Sequence, residues 1–294
     1  MMTTDFLKAK DLYLNKSEKK ALAFVMELSI DAEEVYREII DWIEEELQLK
    51  ACPEGYVILA VALNRIGKNR ECIASATQAI EINPEMVPAY HVRGLAKSEL
   101  NDGEEGLKDC NEAIRMDPTS AYAYVDRGYV KLELDDKKGA VRDINQALRL
   151  DPDYAHAYYI RGILHLDFSY YREAIEDFNE AIRLGLNDNS IYYHRGFAKY
   201  SIEDFKGAIE DCSISIRLDP EDPYAYFHRG LAKYDFKDFQ GAIEDFSEAI
   251  RLDSEYAGAY YSRGLSKKVI GDKEGAELDI GKAERLDPER YGDG

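Results

Sequence analysis

From Gly241 to Leu252 the sequence Gly-Ala-Ile-Glu-Asp-Phe-Ser-Glu-Ala-Ile-Arg-Leu places Ile243, Phe246, Ala249 and Ile250 at i, i+3, i+6 and i+7, one face of an α-helix. The preceding stretch, Ala225 to Phe236, is rich in helix-compatible and aromatic residues, and Asp235-Phe-Lys-Asp238 supplies a short polar link between the two. The pattern predicts two antiparallel amphipathic helices.

The same pair recurs along the chain. Arg-Gly dipeptides stand at Arg93-Gly94, Arg127-Gly128, Arg161-Gly162, Arg195-Gly196, Arg229-Gly230 and Arg263-Gly264, each 34 residues after the last. Four residues before each glycine is a tyrosine: Tyr90, Tyr124, Tyr158, Tyr192, Tyr226 and Tyr260. One step further back, Tyr56 is followed by Ala60 in the glycine position, so a more divergent unit opens the array. Twelve residues after the glycine comes a small residue (Gly106, Ala140, Ala174, Ala208, Ala242, Ala276), and seven further on another (Ala113, Ala147, Ala181, Ser215, Ala249, Ala283). Glycine inside a helix costs about 0.5–1 kcal/mol relative to alanine, so its recurrence demands close approach of two helix backbones. Proline at Pro84, Pro118, Pro152, Pro220 and Pro288 then stops the second helix of most units.

The motif Tyr-x-x-Arg-Gly-x-Ala-Lys followed by Gly-Ala-Ile-Glu-Asp-Phe-x-Glu-Ala-Ile-Arg-Leu-Asp resembles the tetratricopeptide repeat of many bacterial and archaeal proteins. The resemblance implies an all-α fold, a right-handed superhelix of about seven helix pairs, in units 53–86, 87–120, 121–154, 155–188, 189–222, 223–256 and 257–290. Departures are mild: Gly185-Leu186 stands in place of Asp-Pro, Ser254 replaces a terminal proline, and Cys72 takes a small-residue position.

Interior repeats have apolar faces on both sides, so the ends need caps. Residues 1–52 are expected to form the N-terminal cap, with helices from Ala21 to Leu28 and from Ala32 to Leu49. Ile39, Ile40, Trp42, Ile43 and Leu47 lie on one side of the second, with Trp42 expected to pack on the first true repeat. No further helix is expected after Pro288. There the last unit caps itself through Glu277 and Lys282, and 289–294 is a tail.

Charge narrows the partners. Among the 294 residues, 58 Asp and Glu against 38 Lys and Arg give a formal charge of −20, which disfavours nucleic acid and anionic lipid. No secretory h-region and no run of about 18 apolar residues occurs, so the reading is a cytoplasmic protein without a membrane span. Cys52, Cys72, Cys110 and Cys212 form no Cys-x-x-Cys pair and read as free buried thiols.

Repeated Arg and Asp (Asp109, Asp143, Asp177, Asp211, Asp245, Asp279; Arg115, Arg149, Arg183, Arg217, Arg251, Arg285; and the Arg of each Arg-Gly) read as inter-helix salt bridges, since catalysis requires a unique constellation. His194 and His228 are equivalent residues of consecutive units without an evident third ligand, so no metal is expected, and no cofactor motif is present. His91, His156 and His165 are scattered.

Residues two before, one after and five after the motif tyrosine face the groove in the resembled family. That implies Tyr122, Val125, Tyr129; His156, Tyr159, Ile163; Ser190, Tyr193, Phe197; Tyr224, Phe227, Leu231; and Gly258, Tyr261, Leu265, with Tyr200 and Tyr234 one turn later. Glu99, Glu133, Asp167 and Asp235 rim this aromatic floor. Some relatives clamp a chaperone carboxylate with Lys and Asn; the matching residues here are His91, Leu95, Asp126, His156 and Ile160, which argue against that ligand. The expectation is a non-catalytic adaptor that binds an apolar segment or helix, flanked by Lys or Arg, of another protein. The alternative is a self-associating scaffold using its end faces and groove.

Overall fold

The computed structural model describes residues 3–14, 18–26 and 33–292, and among them are 18 helices and no strand. They fall into two compact units, Met1–Pro152 and Asp153–Gly294. The first holds α1 (Thr4–Leu14), α2 (Glu18–Met26), α3 (Glu33–Leu49) and three helix pairs: α4/α5 (Pro53–Arg65, Asn69–Ile82), α6/α7 (Val87–Glu99, Gly103–Met116) and α8/α9 (Ala121–Glu133, Lys137–Leu150). The second holds α10/α11 (Ala155–Asp167, Tyr171–Arg183), α12/α13 (Asn189–Ser201, Phe205–Leu218), α14/α15 (Pro223–Asp235, Phe239–Leu252), α16/α17 (Ala257–Ile270, Lys273–Leu286) and a single turn, α18 (Pro288–Tyr291). Within each unit the second helix of one pair packs on the first helix of the next, and successive first helices also touch.

The glycines act as the small-residue spacing demands. At Gly162 and Gly230 an added Cβ would lie 2.6 Å from the ring of Phe178 or Phe246, so the glycine is the seat of a buried aromatic from the partner helix. In α6/α7 both contact residues are glycine, and a Cβ on Gly106 would come 2.5 Å from the carbonyl oxygen of Gly94. Alanine fills the Gly106 position in the five following units. The repeat pattern alone therefore recommends Gly106→Ala, worth up to about 1 kcal/mol in helix propensity. Backbone cannot yield as a side chain does, and overpacking costs about 1–3 kcal/mol. Gly106→Ala is expected to lower the urea midpoint, and a raised midpoint would count against this packing.

A polar latch closes each pair from α6 onward. The guanidinium of Arg229 makes two parallel bonds to Asp245, at 2.9 and 2.7 Å, and Lys233 adds a third cationic contact at 2.9 Å. Arg93–Asp109, Arg127–Asp143, Arg161–Asp177, Arg195–Asp211 and Arg263–Asp279 repeat the pair. Each guanidinium also lies 5.3–5.6 Å from the ring of its motif tyrosine, so that tyrosine is a structural partner of the arginine. The remaining Nη1 reaches the preceding pair, to Ser213 from Arg229 and to Asn179 from Arg195. Burial pushes the Asp279 carboxyl up, and the bonds from Arg263 and Lys267 outweigh it, leaving a net lowering. The second arginine set does not join this latch. The exposed Arg115, Arg183 and Arg251 pair along their own helices with partly exposed Glu112, Glu180 and Glu248, because their register points outward.

The turns inside the pairs carry a feature that periodicity does not reveal. Asn101, Asp135, Ser169, Glu203 and Lys237 hold φ between 59° and 72°, and Gly67 and Gly271 take the same place in their pairs. That left-handed residue ends the first helix. Asp136, Asp204, Asp238 and Asp272 then cap the second by accepting from the N–H of Gly139, Gly207, Gly241 and Gly275. Where Gly185-Leu186 replaces Asp-Pro, α11 closes instead in a left-handed glycine, with Leu186 N–H donating to the Ala181 carbonyl.

Both ends differ from expectation. The cap contains α1, whose Phe6 and Tyr13 meet the Trp42 ring at 6.1 and 5.2 Å, so the tryptophan packs on α1 while it shares a buried cluster with Val57, Ile58 and Val61 of the first repeat. Ile39, Ile40, Trp42, Ile43 and Leu47 are buried together as the spacing requires. The expected helices overlap α2 and α3, while Leu28 and Ala32 lie outside the described residues. At the other end α18 does follow Asp287, which caps it by accepting from Arg290 N–H, and its Tyr291 stacks on Tyr261 at 4.7 Å. The four cysteines are buried and free, and burial pushes the thiols of Cys72 and Cys212 up to about 12.

Candidate functional site

In the second unit the first helices α10, α12 and α14 bring five of the predicted aromatic residues, Tyr159, Tyr193, Phe197, Tyr224 and Phe227, into one connected set of ring contacts. Tyr159 lies 5.9 Å from His194, His194 lies 5.2 Å from Tyr193, and Tyr193 lies 5.2 Å from His228. The ladder continues from His228 to Phe227 at 5.5 Å, then to Tyr256 at 4.8 Å, and from Tyr256 to Tyr224 at 5.4 Å. It crosses three successive first helices because equivalent positions recur one helix apart. Phe197 joins it 5.7 Å from His228.

Exposure grades these rings. Tyr224 is 53% exposed and offers most of its surface, whereas Tyr159, Tyr193, Phe197 and Phe227 are half-buried. Phe227 also touches the core ring Phe246 at 5.7 Å, so part of its role is packing. Tyr200 and Tyr234 lean on Phe205 and Phe239 of their partner helices, at 5.7 and 5.3 Å. Tyr261 is stacked beneath Tyr291. In the first unit, Tyr129 is 41% exposed beside Glu133 and Glu99, while Tyr122 is half-buried on the same helix. Two participants were missed by sequence reading, Tyr256 and Tyr291. Tyr256 sits in the junction before α16 and Tyr291 at the end of α18, both outside the three positions taken from each first helix.

Carboxylates accompany the rings. Asp235 accepts a 2.7 Å bond from the Tyr200 hydroxyl, and burial together with that carboxylate raises the phenol. Burial, followed by the charges of Asp222 and others, pushes Tyr193 up to about 12. In the first unit burial raises Glu99, which accepts from Asn64 at 3.3 Å. Burial pushes His228 down to about 4, with His194 adding to the effect, and burial lowers His194 too. These two imidazoles are neutral ring surfaces at neutral pH. At the clamp-equivalent positions of the first unit, buried His91 meets Asp126 at 2.5 Å, an acidic pairing where a carboxylate ligand would need a cation.

Among the described residues, no group of three or more His, Cys, Asp or Glu is placed to hold a metal ion, and no helix is long and apolar enough to cross a membrane.

Stacked helix pairs with a shared latch define a helical repeat protein. The tetratricopeptide repeat profile matches residues 53–86, 87–120, 125–189 and 193–257. The chain belongs to the tetratricopeptide repeat family, whose fold serves protein–protein interaction and is generally non-catalytic. Similar solved structures include YrrB, described as a TPR protein with an unusual peptide-binding site, at 24% identity and TM-score 0.57, covering 61% of this chain and 93% of that one. MamA is similar at 25% identity and TM-score 0.54, covering 58% and 93%. The APC/C hetero-tetramer Cut9–Hcn1 is similar at 16% identity and TM-score 0.66, covering 96% of this chain and 52% of that one. No curated protein sequence matches the chain as a relative.

Proposed function

We propose that the chain is a non-catalytic adaptor whose aromatic face in the second unit binds an apolar segment of a partner protein carrying Lys or Arg. The observation that carries this reading is the unbroken ladder from Tyr159 to Tyr224, only part of whose ring surface is buried. Rigid aromatic rings bury large area at small entropy cost, which makes them anchors of interfaces. Asp222 and Asp235 beside the rings, on a chain of formal charge −20, favour a basic flank on the ligand.

Because Phe227 also packs on Phe246, truncating it confounds binding with stability. Tyr193→Ala combined with Tyr224→Ala is the cleaner test. In a pull-down read by quantitative mass spectrometry, the variant is expected to lose at least about tenfold of the specifically captured partner, as anchor residues do, with far-ultraviolet circular dichroism unchanged. Undiminished capture would overturn the assignment of this face.

A further inference from the structure

The end of the aromatic face opens into a cleft of about 300 Å³ between the α15–α16 junction and α18. Three rings converge on Gly258: a Cβ there would stand 3.4 Å from Tyr256 and from the Tyr291 hydroxyl, and 3.5 Å from Phe227. The equivalent residues of the preceding pairs are Tyr224, Ser190 and His156. The cleft thus exists because glycine stands where the other pairs of this unit carry a side chain.

Its rim is anionic. Asp253 and Asp287 each commit Oδ1 to a backbone N–H, of Glu255 at 2.9 Å and of Arg290 at 3.1 Å, which fixes both carboxylates at the opening. Glu255, also lining the cleft, is exposed and makes no ion pair among the described residues. Arg290 is the cation of the lining, so three carboxylates against one guanidinium leave a formal charge of −2. Arg290 lies 5.4 Å from the ring of Tyr291 on its own turn. Aromatic walls with excess negative charge suit a long cationic side chain, whose alkyl stem packs on rings while its head meets the carboxylates.

We propose that this cleft is a subsite for an arginine or lysine side chain of a partner protein. The inference rests on the adaptor reading above and gives it a position, since the cleft shares Phe227 and Tyr256 with the ladder. Arg290 competes weakly for the rim.

The test uses the full chain labelled with ¹³C in its tyrosine rings, titrated with N-acetyl-arginine amide and, separately, with the uncharged N-acetyl-norleucine amide. Tyr256 and Tyr291 resonances are expected to move with the arginine probe and not with norleucine. Glu255→Gln is expected to weaken that response about threefold and Arg290→Ala to tighten it about threefold, the scale of one exposed cation contact. Gly258→Leu fills the cleft and should abolish the response, with Tyr90 and Tyr124 resonances unchanged as the check on folding. Equal shifts with norleucine, or a full arginine response in Gly258→Leu, would overturn the proposal. The two readings fail separately: partner capture lost in the Tyr193/Tyr224 variant but no arginine response at Tyr256 and Tyr291 removes the cleft alone. An arginine response with capture indifferent to Tyr193 and Tyr224 removes the ladder alone.

Discussion

Asp245→Ala is expected to destabilise the chain by about 3–5 kcal/mol, the usual cost of removing one partner from a buried ion pair. The Asp245 side chain is 5% exposed and receives two bonds from Arg229 and one contact from Lys233, so alanine leaves two cations facing each other without their shared anion. Arg229 also binds Ser213 of the preceding pair, so the loss should loosen the α13–α14 contact as well as the α14/α15 pair. Repeat arrays are sums of local stabilities and neighbour terms, and urea unfolding followed by circular dichroism should therefore become biphasic. Two controls define the cause. Replacing the set together, with Arg229→Met, Lys233→Met and Asp245→Leu, should recover most of the stability because no charge is then stranded. Arg251→Ala, which removes only a surface pair with Glu248, should leave the midpoint unchanged. A single transition at the parental midpoint in Asp245→Ala would refute the latch.

Acidification is expected to weaken the second unit through the desolvated imidazole of His228. His228 has rings of Tyr193, Phe197 and Phe227 around it, and burial lowers its pKa from 6.5 to about 4. Between those values the unfolded chain binds a proton that the folded chain refuses, so stability is complete above about pH 6.5 and falls as pH drops toward 4. Moving one histidine over that interval is worth at most about 3 kcal/mol. Urea midpoints measured from pH 7.5 to pH 4.5 should fall, and His228→Gln should flatten the profile. An identical pH dependence in the variant would show that His228 does not carry it. The same protonation would put charge inside the ladder, so ligand affinity should decline over the same window.

Much of this molecule is local, and local information is legible in a chain. The 34-residue step, the Arg-Gly dipeptides and the small-residue positions specify helix pairs, because each pair closes over itself and its neighbour with contacts of short sequence separation. The Arg229–Asp245 latch was foreseeable for the same reason: both residues recur in register. Trp42 was not. Its partners Phe6 and Tyr13 sit on α1, which lies in the cap where no repeat supplies a template. Nor were the left-handed residues at Asn101, Asp135, Ser169, Glu203 and Lys237, whose side chains share no chemistry; the turn geometry imposes that conformation on whatever residue stands there.

The sequence by itself determined the helix pairs, their stacking partners and which first-helix positions could carry rings, since periodicity of 3.6 and 34 residues encodes all three. Only the tertiary structure decided which rings remain accessible. Phe227 is partly consumed by packing on the core ring Phe246 and Tyr200 by packing on Phe205, Tyr224 is left open, and Tyr256 from the junction before α16 meets Tyr291 of α18 over Gly258. Exposure and ring convergence depend on distances between helices, and those are set by the summed volumes of buried side chains, a quantity no single position in the repeat carries.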